Sequence, residues 1–182
     1  MSLEIKFTLE DSDLGYFREV MSKAQQVAKN LTDEQILSNA KKLNEDVKGN
    51  VPEFVQTRLQ KLNTMIAIIE DQEWQVPEQE RSDILSALAY FSESDDLIPD
   101  HIPALGFLDD AIMIELVASE FNDDIEAFEE FCQYREREQD RAGDKTITRE
   151  QWLSDKRREL HSRMRTRRLG RQGRSSSFKS IF

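Results

Sequence analysis

The sequence predicts an all-α protein, a single bundle of about seven helices followed by a basic C-terminal arm. Three observations predict it. Apolar residues recur at three- and four-residue spacing in seven successive segments, most segments open on a recognisable cap, and strand-like alternation is confined to the short lead-in "IKFTL".

The first helical pattern sets Leu14, Phe17, Met21, Ala24, Val27 and Ala28 on one face, with Ser12 or Asp13 as N-cap. In "LTDEQI" Thr32 can cap a second helix while Gln35 reaches back, and Leu31 and Ile36 have the spacing of a hydrophobic staple. Its face is Ile36, Leu37, Ala40, Leu43 and Val47, with Gly49 as the stop. A third helix opens at Asn50 to Pro52, presents Val55, Leu59, Leu62, Met65, Ile66 and Ile69, and ends near Asp71. Pro77 starts the fourth, with Glu78 and Glu80 near the positive end of its dipole and Ile84, Leu85, Leu88, Ala89 and Phe91 inward. "AIMIELVASEF" is apolar all round except at Glu115, the pattern of a buried central helix. Glu115 itself belongs at the exposed edge of such a helix.

Asn122 or Asp123 caps the sixth helix, whose core side is Ile125, Phe128, Phe131 and Cys132 together with the Arg135 stem. The run "YREREQDRAGDK" is polar on every side and predicts a helix that projects from the core before Gly143. "ITREQW" repeats the cap chemistry, with Thr148 capping, Gln151 reaching back and Ile147 stapling to Trp152. The seventh helix has a thin stripe of Trp152, Leu153, Lys156, Leu160 and Met164. Beyond Leu169 the glycine- and serine-rich end offers too few apolar residues to offset ordering entropy, so the last dozen residues are expected to be mobile. The implied division is a helical domain at 1–145, a basic helix at 146–168 and a flexible tail at 169–182.

Charge is divided along the chain. Residues 156–182 hold ten basic residues and one acid, a net of +9, so the −11 total leaves −20 on residues 1–155. The arm is therefore a candidate for an anionic partner, and Arg163, Arg165, Arg167, Arg168, Arg171 and Arg174 are the candidate contacts for nucleic acid or an anionic membrane surface. The acidic body is the competing partner, at high effective concentration. Self-docking of the arm, self-association or a protein partner is the preferred reading of the two. A single cysteine, Cys132, rules out a disulfide or a cysteine-based zinc site within one chain and suits a reducing cytoplasm. With no activating neighbour expected, it reads as a packed core thiol. His161 among arginines reads as a solvated surface histidine. No basic leader followed by an apolar run is present, and no stretch approaches the ~18 apolar residues of a membrane span.

The segment "DDLIPDHIPALGFLDD" concentrates the remaining chemistry. Pro99 and Pro103 force the residues before them out of helical angles, which makes the segment an extended, bent connection between the fourth and fifth helices. Asp96 and Asp100 can close turns, Gly106 permits helix entry, and Asp109 and Asp110 fall in the first turn of the central helix, where carboxylates favour the dipole. This structural reading is the principal one. The rival gathers Asp96, Asp100, His101, Asp109 and Asp110 into a divalent-metal or acid–base site. No cofactor beyond such a metal is implied, and an enzyme is the less favoured class.

The same residues, Asp96-Leu-Ile-Pro-Asp-His-Ile-Pro-Ala-Leu-Gly-Phe-Leu-Asp-Asp110, resemble the signature of the YkvA-like bacterial family, a domain of unknown function. The resemblance spans residues 86–118 at most, and Ser94 stands where members often have proline. It implies a small helical domain, sometimes associated with membranes, and brings no established activity. A protein-interaction or scaffolding role is the function most compatible with this reading.

Overall fold

The computed structural model describes residues 8, 10–47, 51–92, 107–139 and 149–172. They form seven α-helices and no strand, as the periodicity predicts: α1 (Asp11–Ala28), α2 (Asp33–Asp46), α3 (Glu53–Glu70), α4 (Glu78–Leu88) with a 3₁₀ turn at Ala89–Ser92, α5 (Leu108–Glu120), α6 (Asn122–Gln139) and α7 (Arg149–Gln172). The lead-in apart from Thr8, and the tail beyond residue 172, lie outside the described residues.

Local chemistry explains the starts of α2, α3 and α4. Thr32 Oγ1 accepts from the Gln35 amide at 3.3 Å while the Gln35 side chain accepts from the Thr32 amide at 2.9 Å, so the capping box expected from "LTDEQI" is complete. Pro52 and Pro77 stand at the N-caps of α3 and α4 with extended ψ of 147° and 149°. They sit one residue before the helical position expected of them. The prolyl carbonyls accept the first helical bonds, and the absent amide hydrogen leaves no donor unsatisfied there. α1 begins at Asp11, ahead of the expected caps Ser12 and Asp13.

Helices α3 and α5 form the centre, packed against one another. From α3, Val55, Leu59, Leu62, Met65, Ile66 and Ile69 are buried as the stripe predicts, and Ile68 joins them. From α5, Ala111, Met113, Ile114, Val117 and Ala118 are buried. On one side α1 and α2 pack against the 3₁₀ turn that closes α4, and on the other α7 packs along α6. That last contact carries α6 along the core as far as Tyr134 and Arg135, further than the expected projection of the polar run allowed. Tyr134 packs against the core with the Lys156 ammonium 5.8 Å from its ring, and Arg135 donates to Asp71 at 2.6 Å. Glu136 and Arg137 beyond them are exposed, and residues 140–145 of the run lie outside the described residues.

The turn between α3 and α4 centres on Trp74, which is completely buried. Asp71 Oδ1 accepts from the amides of Glu73 and Trp74, both at 2.9 Å, and this fixes the chain so that the indole enters the core. Phe128, Phe131 and His161 surround the indole with ring centroids 5.7, 5.2 and 4.5 Å away. The turn thus joins α3, α4, α6 and α7 at one point.

Candidate functional site

The proline-rich connection is described only at its two ends. Asp96, Pro99, Asp100, His101, Pro103 and Gly106 lie outside the described residues. Asp109 is buried and Asp110 half-buried in the first turn of α5, directly after Phe107, whose φ of 65° is left-handed. A left-handed non-glycine residue ahead of a helix is strained, and it sets the sharp entry of the chain into α5. Among the described residues no group of three or more His, Cys, Asp or Glu side chains is placed to hold a metal ion.

The arm, in contrast, is brought onto the body. Leu153, Leu160 and Met164 of α7 are buried, which bears out the predicted stripe, and arginines flank them. Arg163 and Lys156 converge on Glu130, and their hydrogen bonds hold its carboxyl below the usual range. Arg167 reaches Glu126 at 3.1 Å and Asp123 at 3.4 Å. Arg168 lies 3.1 Å from Asp83 Oδ2, 3.8 Å from Glu80 and 3.9 Å from Asp124. At the other end Arg149 donates to Glu73 at 2.5 Å, and Arg157 donates to the Glu73 backbone carbonyl at 2.6 Å. The Arg149 hydrogen bond lowers the Glu73 carboxyl despite partial burial. Arg165 faces solvent, with the 68% exposed Leu169 one turn further on. The Arg171 side chain and Arg174 lie outside the described residues, and the helix itself runs to Gln172, past the end expected at 168.

The cluster around Arg168 is the most unusual electrostatic feature. Glu80, Asp123 and Asp124 are all buried, with Asp124's side chain only 6% exposed. Burial pushes Asp124 up to about 6; Arg168 opposes that, while Glu80 and Asp123 reinforce it. Its Oδ1 has no hydrogen-bond partner among the described residues. None of these acids drew attention in the sequence except as dipole or cap residues. Spacing could not single them out, because Glu80 and Asp124 meet only through tertiary packing.

Three other residues fall as follows. Glu115 sits at the edge of α5, where Lys61 donates to both its oxygens at 2.8 and 2.9 Å and Arg58 Nε is 3.1 Å away, in line with the exposed-edge expectation. His161 departs from expectation: it is half-buried against Trp74, and burial, with Arg157 and Arg165 adding to it, lowers it to about 4. The helix stripe alone did not reveal that Trp74 would fill the space opposite. Cys132 is only half-buried and has a basic neighbour one turn away, with Arg135 Nη2 3.5 Å from Sγ. Burial nevertheless raises its thiol, against the opposing charge of Arg135.

On the opposite side of the bundle an open polar groove of about 420 Å³ runs between α1, α2 and α4, lined among others by Ser22, Gln26, Lys29, Asp33, Ser82 and Ser86. Among the described residues no helix is long and apolar enough to cross a membrane.

No curated protein and no solved structure matches the chain. A family model described as a protein of unknown function (DUF1232) matches residues 84–116, from within α4, across the proline-rich connection, to within α5. The match covers less than a fifth of the 182 residues, so that segment is similar to a domain family of unknown function.

Proposed function

We propose that the chain is a protein-interaction module whose working surface is the acidic, helix-binding face made by the α3–α4 turn, α4 and α6. The observation that carries this reading is the match of two helical surfaces. An amphipathic helix with buried Leu153, Leu160 and Met164 lies along that face, and Arg163, Arg167 and Arg168 meet Glu130, Glu126 and Asp83. Recognition of an amphipathic helix through apolar anchors with a charged rim is a recurrent protein-binding mode. A partner for this face is therefore a basic amphipathic helix, and α7 occupies the place in cis. The assignment to the YkvA-like family is part of the same proposal, supported by the overlap of its motif with residues 84–116. So is a cytoplasmic setting, supported by the single cysteine.

Arg149, Arg163, Arg167 and Arg168 of α7 are engaged by the body's own carboxylates, which favours this reading over polyanion capture by the arm. The test is a titration of the full chain carrying Arg163→Glu, Arg167→Glu and Arg168→Glu with a fluorescent peptide of residues 149–172. Saturable binding to the variant, at least tenfold tighter than to the wild-type chain, is expected. Duplex DNA and anionic vesicles are titrated against the wild type in parallel at 50 and 200 mM salt. Absence of peptide binding combined with salt-sensitive DNA or vesicle binding by the wild type would overturn the proposal in favour of an anionic partner.

A further inference from the structure

Two unlike kinds of contact hold α7. Its apolar seam, Leu153, Leu160 and Met164 with His161 edge-on to Trp74, does not change between pH 5 and 8, because His161 lowered to about 4 is already neutral there. The pair at Glu130 changes little over that range too, since hydrogen bonds from Arg163 and Lys156 hold its carboxyl below the usual range. The contact at Arg168 is different. Among the described residues, Glu80 and Asp83 from α4 and Asp123 and Asp124 from α6 face the guanidiniums of Arg167 and Arg168 from α7. Three of the four acids are buried, so their charge is poorly screened by water. Asp124 Oδ1 accepts no hydrogen bond among the described residues and offers a place for a proton.

We propose that α7 is a proton-controlled clasp, seated firmly when Asp124, in the cluster with Glu80, Asp83 and Asp123, holds a proton and loosened when Asp124 loses it. Loosening uncovers the Trp74 seam and the Arg163, Arg167 and Arg168 row together, so one protonation event governs access to both surfaces. The direction follows from the charges. Seating α7 takes Asp124 out of water, and Arg168 at 3.9 Å is too distant to compensate fully, so the seated state prefers the neutral acid. Because that acid titrates near 6, the change falls between weakly acidic and weakly basic conditions. This inference stands whether or not the α4–α6 face binds a foreign helix.

Amide hydrogen exchange on the full-length chain at pH 5 and pH 8, converted to protection factors, tests it. Protection of α7 is expected to fall about tenfold from pH 5 to pH 8, which is the ratio that an acid raised from 3.8 to about 6 imposes over that interval, and to stay below that of α3 at both pH values because α7 leaves the body without the core unfolding. In Asp124→Asn the α7 difference is expected to vanish. In Glu80→Gln, which removes one neighbouring negative charge, it shrinks and serves as the second reading should the first variant fold poorly. His101→Asn removes the other histidine and is expected to leave the difference intact. Equal protection of α7 at the two pH values, protection of α7 no lower than that of α3, survival of the difference in Asp124→Asn, or its loss in His101→Asn would each overturn the clasp.

Discussion

Asp124→Asn should make this protein more stable at neutral pH, although it removes a carboxylate from beside an arginine. The side chain keeps its shape and loses its charge. In the folded state Asp124 is raised from the ordinary 3.8 to about 6, chiefly by burial, so its ionised form is held at a cost. The difference, at 1.36 kcal/mol for each pKa unit, is roughly 3 kcal/mol. The sign is that of a raised acid: its favourable contribution is complete below 3.8 and is lost as pH rises through about 6. Arg168 does not depend on Asp124 for its place, since Asp83 lies nearer, at 3.1 Å against 3.9 Å. The expected gain is therefore about 3 kcal/mol at pH 7.5, about half that at pH 5, and under about 1 kcal/mol at pH 4. Urea unfolding of both proteins at those three pH values, followed by far-UV circular dichroism, measures it. A loss of stability at pH 7.5, or a gain that does not shrink on acidification, refutes the account of a buried, under-compensated carboxylate.

The other expected effects are of known kinds. Trp74→Ala removes a completely buried indole shared by α6 and α7 and should cost about 3–5 kcal/mol in the same unfolding experiment. Glu130→Gln severs the pairs with Arg163 and Lys156, but a side chain 39% exposed is screened, so a loss below about 1 kcal/mol that disappears in 1 M salt is expected. Thr32→Ala opens the capping box of α2 and should lower stability by about 1 kcal/mol, read as a lowered Tm in calorimetry.

Some of this was legible in the sequence, and the division has a physical basis. The α3 stripe and the Thr32–Gln35 cap depend on residues within one or two helical turns, so spacing carries them almost completely. The pairing of Glu115 follows nearly as directly, because a lone carboxylate on an apolar helix must meet solvent or a cation and Lys61 supplies the latter. The seat of α7 was visible only as a charge imbalance between +9 and −20. Which carboxylates take which arginines depends on the register of α7 against α6, and no local pattern encodes that register. His161 was misread for the same reason. Its own helix says only that arginines flank it, while its environment is supplied by Trp74, 87 positions earlier.

The acids that spacing made conspicuous and the acids that packing made unusual are different sets. In "DDLIPDHIPALGFLDD" the sequence sets the aspartates beside prolines and a helix start, where turns and caps are expected of them, and of these Asp109 and Asp110 do fall in the first turn of α5. Asp124 also falls in a first turn, that of α6, and by local rules its role would end there. What sets it apart is that α4 and α7 close over it and bring Glu80 and Arg168 together around a carboxylate that water no longer reaches. A helix N-terminus gives an aspartate a reason to be present, whereas only desolvation gives it a reason to titrate near neutrality. The titrating acid is therefore best sought where the basic helix lands on the body, because the arm supplies both the burial and the opposing charge.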